Sequence, residues 1–184
     1  MTTSFPTKLL WVDLEMTGLV PHKDVLLEVA VLVTDFDFNV LETYEQRIAQ
    51  DRSVVEVRMD ANPWWKDYPG NRKQFVKKLT EGKPLADVQA DLVALTRRHF
   101  GHERAMLAGN SIYNDRMFIK QWLPELESTL HYRMLDVSSF KILMQGRYGH
   151  EFKKQSMHRA LDDIQASIAE LREYLIFLHD APKD

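Results

Sequence analysis

The chain has no cysteine among its 184 residues, which excludes disulfides and thiolate metal sites. A reducing, cytoplasmic location is expected on that ground. The N-terminus, MTTSFPTK, fits it, with neither an apolar signal core nor an Arg-rich amphipathic pattern. Long apolar stretches are missing too: Lys, Arg, Asp or Glu breaks each run well short of the ~20 residues a membrane-spanning helix needs, so no membrane partner is expected. Glycine and proline number seven each, and no linker, repeat or low-complexity tract divides the chain. It reads as one domain, with loose tails at 1–7 and 180–184. Nor is there a basic excess, the formal net charge being −3. Proteins that grip long nucleic acids through many phosphates usually show a basic surface, so a long duplex is not an expected partner.

What is present is a pattern of strands followed by helices. Three β-type runs, 8–15, 25–35 and 40–49, are joined by short turns at 17–24 and 36–39. Connections this short favour antiparallel neighbours. Segments 72–82 and 84–101 space apolar residues three and four apart and stop at glycines, as helices do. A buried strand at 104–110, a helix at 114–127 and a strand at 132–139 then alternate, which implies parallel pairing. Leu161, Ile164, Ile168, Leu171, Leu175 and Leu178 mark a final helix. The fold class is therefore α/β, an antiparallel meander continued by parallel strands and flanked by helices.

The first run ends on an electrostatic problem. Asp13 and Glu15 lie two apart on a strand and share a face, with Leu9 and Trp11 behind them and Leu10, Val12 and Leu14 opposite. A D-x-E pair alone describes a solvated strand end. Here apolar residues on both faces argue for a central strand, and two acids at a core edge favour the neutral form unless a cation compensates. Other acids stand where further ligands could come from. Asp115 lies near a helix start, where acids are also favoured by the dipole. Asp136 reads as structural, a cap for the following turn. Asp162 and Asp163 open the last helix, and periodicity does not choose between them. His158 precedes that pair, and a histidine beside activated water can take its proton near neutral pH.

Together, DLE at 13–15, GNSIYNDRMF at 109–118 and HRALDD at 158–163 resemble the three motifs of the DEDDh 3′-to-5′ exonucleases. With WVDLEMTGL, LPELE and HYRMLDVSS, the likeness is to the oligoribonucleases among them and runs from residue 8 to about 178. The resemblance implies a ribonuclease H-like fold, two divalent cations (Mg²⁺ or Mn²⁺) and release of nucleoside 5′-monophosphates from short RNA, especially dinucleotides. By motif position it implies Asp13, Glu15, Asp115 and Asp163 as metal ligands and catalytic residues, with His158 as general base. Oxygen donors without sulfur suit those metals.

The resemblance further implies that Leu19 and a tryptophan wedge the bases. Ser111, Arg133 and Ser138 would hold a 5′ phosphate, and Tyr132 would reach across from a second protomer of a homodimer. One stretch departs from the family. Its M-D-x-W becomes MDANPWW here, so Asn62 stands at the tryptophan position and Trp64 or Trp65 must substitute, Trp64 being favoured. The family's H-T-x-S-G-L is replaced by KDYPGNRKQF. Two other functions are compatible with the motifs: a DEDDh exonuclease acting on longer single-stranded DNA or RNA, and a catalytically inert nucleotide-binding module.

Overall fold

In the computed structural model, which describes residues 6–153 and 159–180, β1 (Lys8–Met16) runs through the middle of a five-stranded sheet. A strand apolar on both faces has to be covered on both, and only a central position allows that. Its antiparallel neighbour β2 (Leu26–Asp35) is buried along almost its whole length, whereas β3 (Val40–Arg47) forms a largely accessible edge. On the other side β4 (Ala105–Gly109) and β5 (Leu130–Asp136) pair in parallel, giving the order β3-β2-β1-β4-β5. The expected mixed sheet is present.

Helices α1 (Arg52–Ala61), α2 (Trp64–Asp67), α3 (Pro69–Lys77) and α4 (Leu85–Phe100) follow β3. Helices α5 (Ile112–Trp122) and α6 (Pro124–Glu127) connect β4 to β5, and α7 (Val137–Tyr148) and α8 (Ala160–Asp180) come last. Leu10, Val12 and Leu14 pack with Val88 and Leu92 of α4 and Ile112 and Phe118 of α5. On the opposite face Leu9 and Trp11 pack with Met144 of α7 and Ile164, Leu171 and Tyr174 of α8. Trp11 is fully buried, yet its Nε1 donates to Thr34 Oγ1 at 3.0 Å, so the indole brings no unsatisfied donor into the core.

Several boundaries differ from the sequence expectation. The third run was expected to stay extended to residue 49, but β3 stops at Arg47, and α1 occupies a stretch that had no assigned element. Asp51 starts it: its Oδ1 accepts the amides of Ser53 (2.7 Å) and Val54 (3.3 Å). The run 132–139 was likewise expected to be all strand. It turns at Asp136, whose carboxylate accepts the Ser138 amide at 2.9 Å and opens α7. The helix expected over 114–127 begins at Ile112 and breaks before Pro124, which cannot continue the hydrogen-bond ladder and starts α6 instead. The segment 72–82 divides between the end of α3 and a tight 3₁₀ turn, Leu79–Glu81. Gly101 closes α4 with φ of 61°, a conformation that costs glycine little.

β4 and β1 meet closely where Gly109 ends its strand. A Cβ at that position would lie 2.9 Å from Val12 O and 2.7 Å from Ile112 Cδ1. The carbonyl belongs to the residue just before Asp13, so the missing side chain sets how near β4 and α5 come to the carboxylate end of β1. Gly109→Ala is expected to cost about 1–3 kcal/mol of overpacking strain in urea unfolding; an unchanged midpoint would show that this approach is not tight.

Candidate active site

The C-terminal end of β1 carries Asp13 and Glu15, and the first turn of α8 carries Asp163. One ligand oxygen from each falls within a group whose atoms all lie within 4.8 Å of one another. Two like charges about 4 Å apart repel by roughly 4 kcal/mol even at an effective dielectric near 20. Three such pairs would cost an amount comparable with the roughly 5–15 kcal/mol that holds a whole domain folded. Protons or a cation that reduce the charge of the group relieve that cost.

Glu15 feels both its burial and this crowding. Its carboxyl is pushed up to about 8, first by burial and then by the negative charges of Asp163, Glu28 and Asp115, with Arg159 opposing. Asp115 is pushed up to about 7, again chiefly by burial. Its Oδ1 accepts the amide of Leu14, the residue between Asp13 and Glu15, at 3.0 Å. The fourth acid is thus tied to the backbone of the same strand, one step outside the three-carboxylate group. The clustered carboxylate donors fit hard divalent cations such as Mg²⁺ or Mn²⁺.

Beside Glu15 opens a cavity of about 590 Å³, lined among others by Leu14, Leu19, Lys23, Arg58 and Trp64. Leu19 stands 73% exposed at its rim. Its loop is held by Asp24, which accepts Thr17 Oγ1 at 3.0 Å and the Val20 amide at 2.9 Å. Trp64 and Trp65 divide their roles. Trp65 is 1% exposed and donates from Nε1 to Thr17 O at 2.8 Å. Trp64 is half-buried, stacks on Tyr68 at 4.4 Å and lines the cavity. Asn62, at the position where the family motif has its tryptophan, donates to the same Thr17 carbonyl at 3.0 Å and accepts the Trp64 amide at 3.1 Å.

The exonuclease family typified by RNase T matches residues 10–171. A probable oligoribonuclease of Caenorhabditis elegans is 37% identical over 91% of this chain and 86% of its own length. The oligoribonuclease of Pseudomonas fluorescens is 38% identical over 92% and 94%. The chain belongs to the oligoribonuclease family of exonucleases. Solved structures agree in fold. Exonuclease I from Methylocaldum szegediense superposes with a TM-score of 0.64 at 18% identity, over 95% of this chain and 41% of that one. Exonuclease I of E. coli, in complex with a DNA oligonucleotide, gives 0.57 at 13%, over 95% and 43%. This chain therefore spans about two-fifths of those proteins, and the likeness establishes the ribonuclease H-like fold.

The remaining residues implied by the family resemblance fall in three places. Ser111 and Ser138 meet, Oγ to Oγ at 2.8 Å, and Ser138 Oγ donates to Asn110 Oδ1 at 2.8 Å. Ser111 takes a left-handed backbone, φ 52°, rare for serine; its amide donates to Asp136 Oδ1 and Ser138 Oγ, each at 2.9 Å. Tyr132 stands 70% exposed on the edge strand β5, with the Arg133 guanidinium 5.3 Å over its ring. His158 lies outside the described residues. Asp162 is exposed, whereas Asp163 belongs to the carboxylate group. Sequence reasoning missed Glu28 and Thr17, and it gave Asn62 no role beyond displacing the motif tryptophan. The signal for Glu28 was a lone acid inside an apolar strand, VLLEVAVLV.

A raised carboxyl binds its proton more tightly folded than unfolded, so it stabilises the fold below its unfolded value and loses that contribution as pH rises through its folded value. Without divalent cations the melting temperature should fall as pH rises from about 4.5 to about 8. Asp51 and Asp91 are held below the ordinary range by hydrogen bonds, with Ser53 and Lys83 the leading donors, so they titrate beneath that window. Melts in EDTA across the window check this, and Mn²⁺ should restore the loss; a melting temperature that rises with pH would contradict it.

Proposed function

We propose that the enzyme is a 3′-to-5′ exoribonuclease of very short RNA, dinucleotides above all, releasing nucleoside 5′-monophosphates. The observation that carries this reading is that Glu15 belongs both to the carboxylate group and to the lining of the cavity bearing Leu19 and Trp64. A phosphodiester at the carboxylates would place its neighbouring base in that cavity. The relatives' name supports the substrate class, and the fold supports a nuclease.

Asp13, Glu15, Asp115 and Asp163 would hold two divalent cations, Mg²⁺ or Mn²⁺. When bound, these supply Lewis-acid stabilisation of the phosphoryl oxygens and of the charge that develops on the leaving 3′ oxygen. His158 takes the proton of the attacking water as general base. Oxygen from that water bonds to phosphorus, the bond to the 3′ oxygen breaks, and the 3′-terminal residue leaves as its 5′-monophosphate. Leu19 and Trp64 orient the bases, and their apolar surfaces exclude water beside the reacting group. Ser111 and Ser138, joined at one hydroxyl pair, together with Arg133, cap the 5′ end of the substrate. Tyr132 completes that cap from a second copy in a homodimer; its exposure on an edge strand supports the reading.

The decisive experiment is turnover of a series from a dinucleotide to a strand of about ten nucleotides, with Mn²⁺ and with EDTA. Cleavage should be fastest on the dinucleotide and vanish with EDTA. Comparable rates on the longest strand would assign the enzyme to long single-stranded ends instead, and binding without cleavage would make it an inert nucleotide-binding module.

Stacking of a base on an aromatic ring contributes about 1–3 kcal/mol. Trp64→Ala should therefore weaken dinucleotide affinity by about tenfold or more, beyond any loss of stability from its packing on Tyr68 and Trp65. Unchanged affinity in a titration would remove Trp64 from the base site.

A further inference from the structure

Glu28 is a buried carboxylate that the proposed chemistry does not use. It is 1% exposed, and on the sheet it sits directly opposite Glu15 on one side and Arg47 on the other. Glu15, Glu28 and Arg47 thus form one row across β1, β2 and β3, all on the face that α8 covers. The next row is Asp13, Ala30 and Glu45. Arg47 Nε lies 3.2 Å from Glu28 Oε2, which accounts for one carboxylate oxygen. The other, Oε1, faces Arg159 Nε at 3.5 Å, an ion pair and not a hydrogen bond, since neither atom has a hydrogen-bond partner. Arg159 also donates from Nη2 to Glu45 Oε1 at 3.1 Å.

Arg159 is the residue from which α8 departs. Its carbonyl accepts the Asp163 amide at 2.9 Å, the first intrahelical bond of the turn that presents Asp163. The guanidinium is therefore fastened to two strands behind the metal-ligand row, while its backbone fixes the residue that completes that row. A helix end beside a cluster of like charges has reason to swing away, and an ion pair to a buried carboxylate opposes the swing, because separating it would leave Glu28 Oε1 with no cation facing it.

We infer that Arg159, clamped by Glu28 on β2 and Glu45 on β3, is a positioning residue that sets Asp163 against Asp13 and Glu15. Resting on the metal-site reading above, it extends that reading to the side chains that hold a ligand in place. Such supporting residues typically change metal affinity about 10–100-fold when removed.

The test is Mn²⁺ affinity by calorimetry on the full chain, with melting in EDTA as the control for folding. Arg159→Ala should fold and bind Mn²⁺ about tenfold or more weakly, while Arg159→Lys should recover part of the loss. In an Asp163→Asn background the same Arg159→Ala change should have little further effect, because the ligand it positions is gone. Wild-type affinity in Arg159→Ala, or a loss fully additive with Asp163→Asn, overturns the positioning role. Asp163→Asn binding like wild type overturns the metal-site reading itself, so the two failures are distinct. Should Arg159→Ala fail to fold, Glu45→Gln removes the more accessible half of the clamp. It should weaken Mn²⁺ binding in the same direction, and no change would again overturn the inference.

Discussion

Repulsion among carboxylates gathered at one end of β1 is the constraint around which the rest of the structure is arranged. Asp13 and Glu15 share a strand, Asp163 arrives on α8, and Asp115 is fastened to the Leu14 amide from α5. Left ionised without a cation, such a group would cost much of a domain's stability. Burial is the leading reason that Glu15 is pushed up to about 8 and Asp115 to about 7, with neighbouring acids adding to it. The fold tolerates the arrangement because each acid is held from behind by something rigid. β1 is locked between β2 and β4 with apolar layers on both faces, and α5 and α8 are pinned by Phe118, Ile119, Ile164 and Leu171.

The same constraint explains the two close approaches next to the site. Gly109 lets β4 come near β1 at Val12, which brings the β4–α5 turn and hence Asp115 into reach. That turn is tensioned: Ser111 sits at φ 52° and is satisfied by Asp136 and Ser138 from the start of α7. Strain of this kind persists only where surrounding contacts over-determine it. Here they are the contacts that join the end of β5 to the beginning of α5, so the serine pair and Asp115 are held by one piece of geometry.

Much of this was legible from residues alone. The apolar faces of β1 announced a central strand, the two-residue spacing put Asp13 and Glu15 on one side, and short turns announced the antiparallel half. Less legible were α1 and α7. In α1 the run Val54, Val55, Val57 favours extended backbone, and only the Asp51 cap and the buried pair Val55 and Met59, four apart, mark a helix. In α7 the apolar residues are scattered, with Ile142 71% exposed and only Val137 and Met144 buried, so periodicity carries little signal. The row from Glu15 through Glu28 to Arg47 was out of reach because register between distant strands is a property of the folded sheet.

The departure at 61–76 becomes intelligible in the same physical terms. Replacing a motif tryptophan with Asn62 removes an aromatic surface, yet the amide reaches the Thr17 carbonyl, where it is joined by the Trp65 indole. Two donors on one carbonyl tie the α1–α2 junction to the loop that carries Leu19, and Trp65 uses its polar atom there while its ring fills the core with Phe75 and Met59. Trp64, ordered by Asn62 Oδ1 at its backbone and by Tyr68 at its face, is left to line the cavity. The cavity, about 590 Å³ in volume, has the size of small-ligand sites. A net charge of −3 also offers little to a long phosphate backbone. For the proposed short substrate, affinity would come from stacked bases and local cations instead of from an extended basic surface.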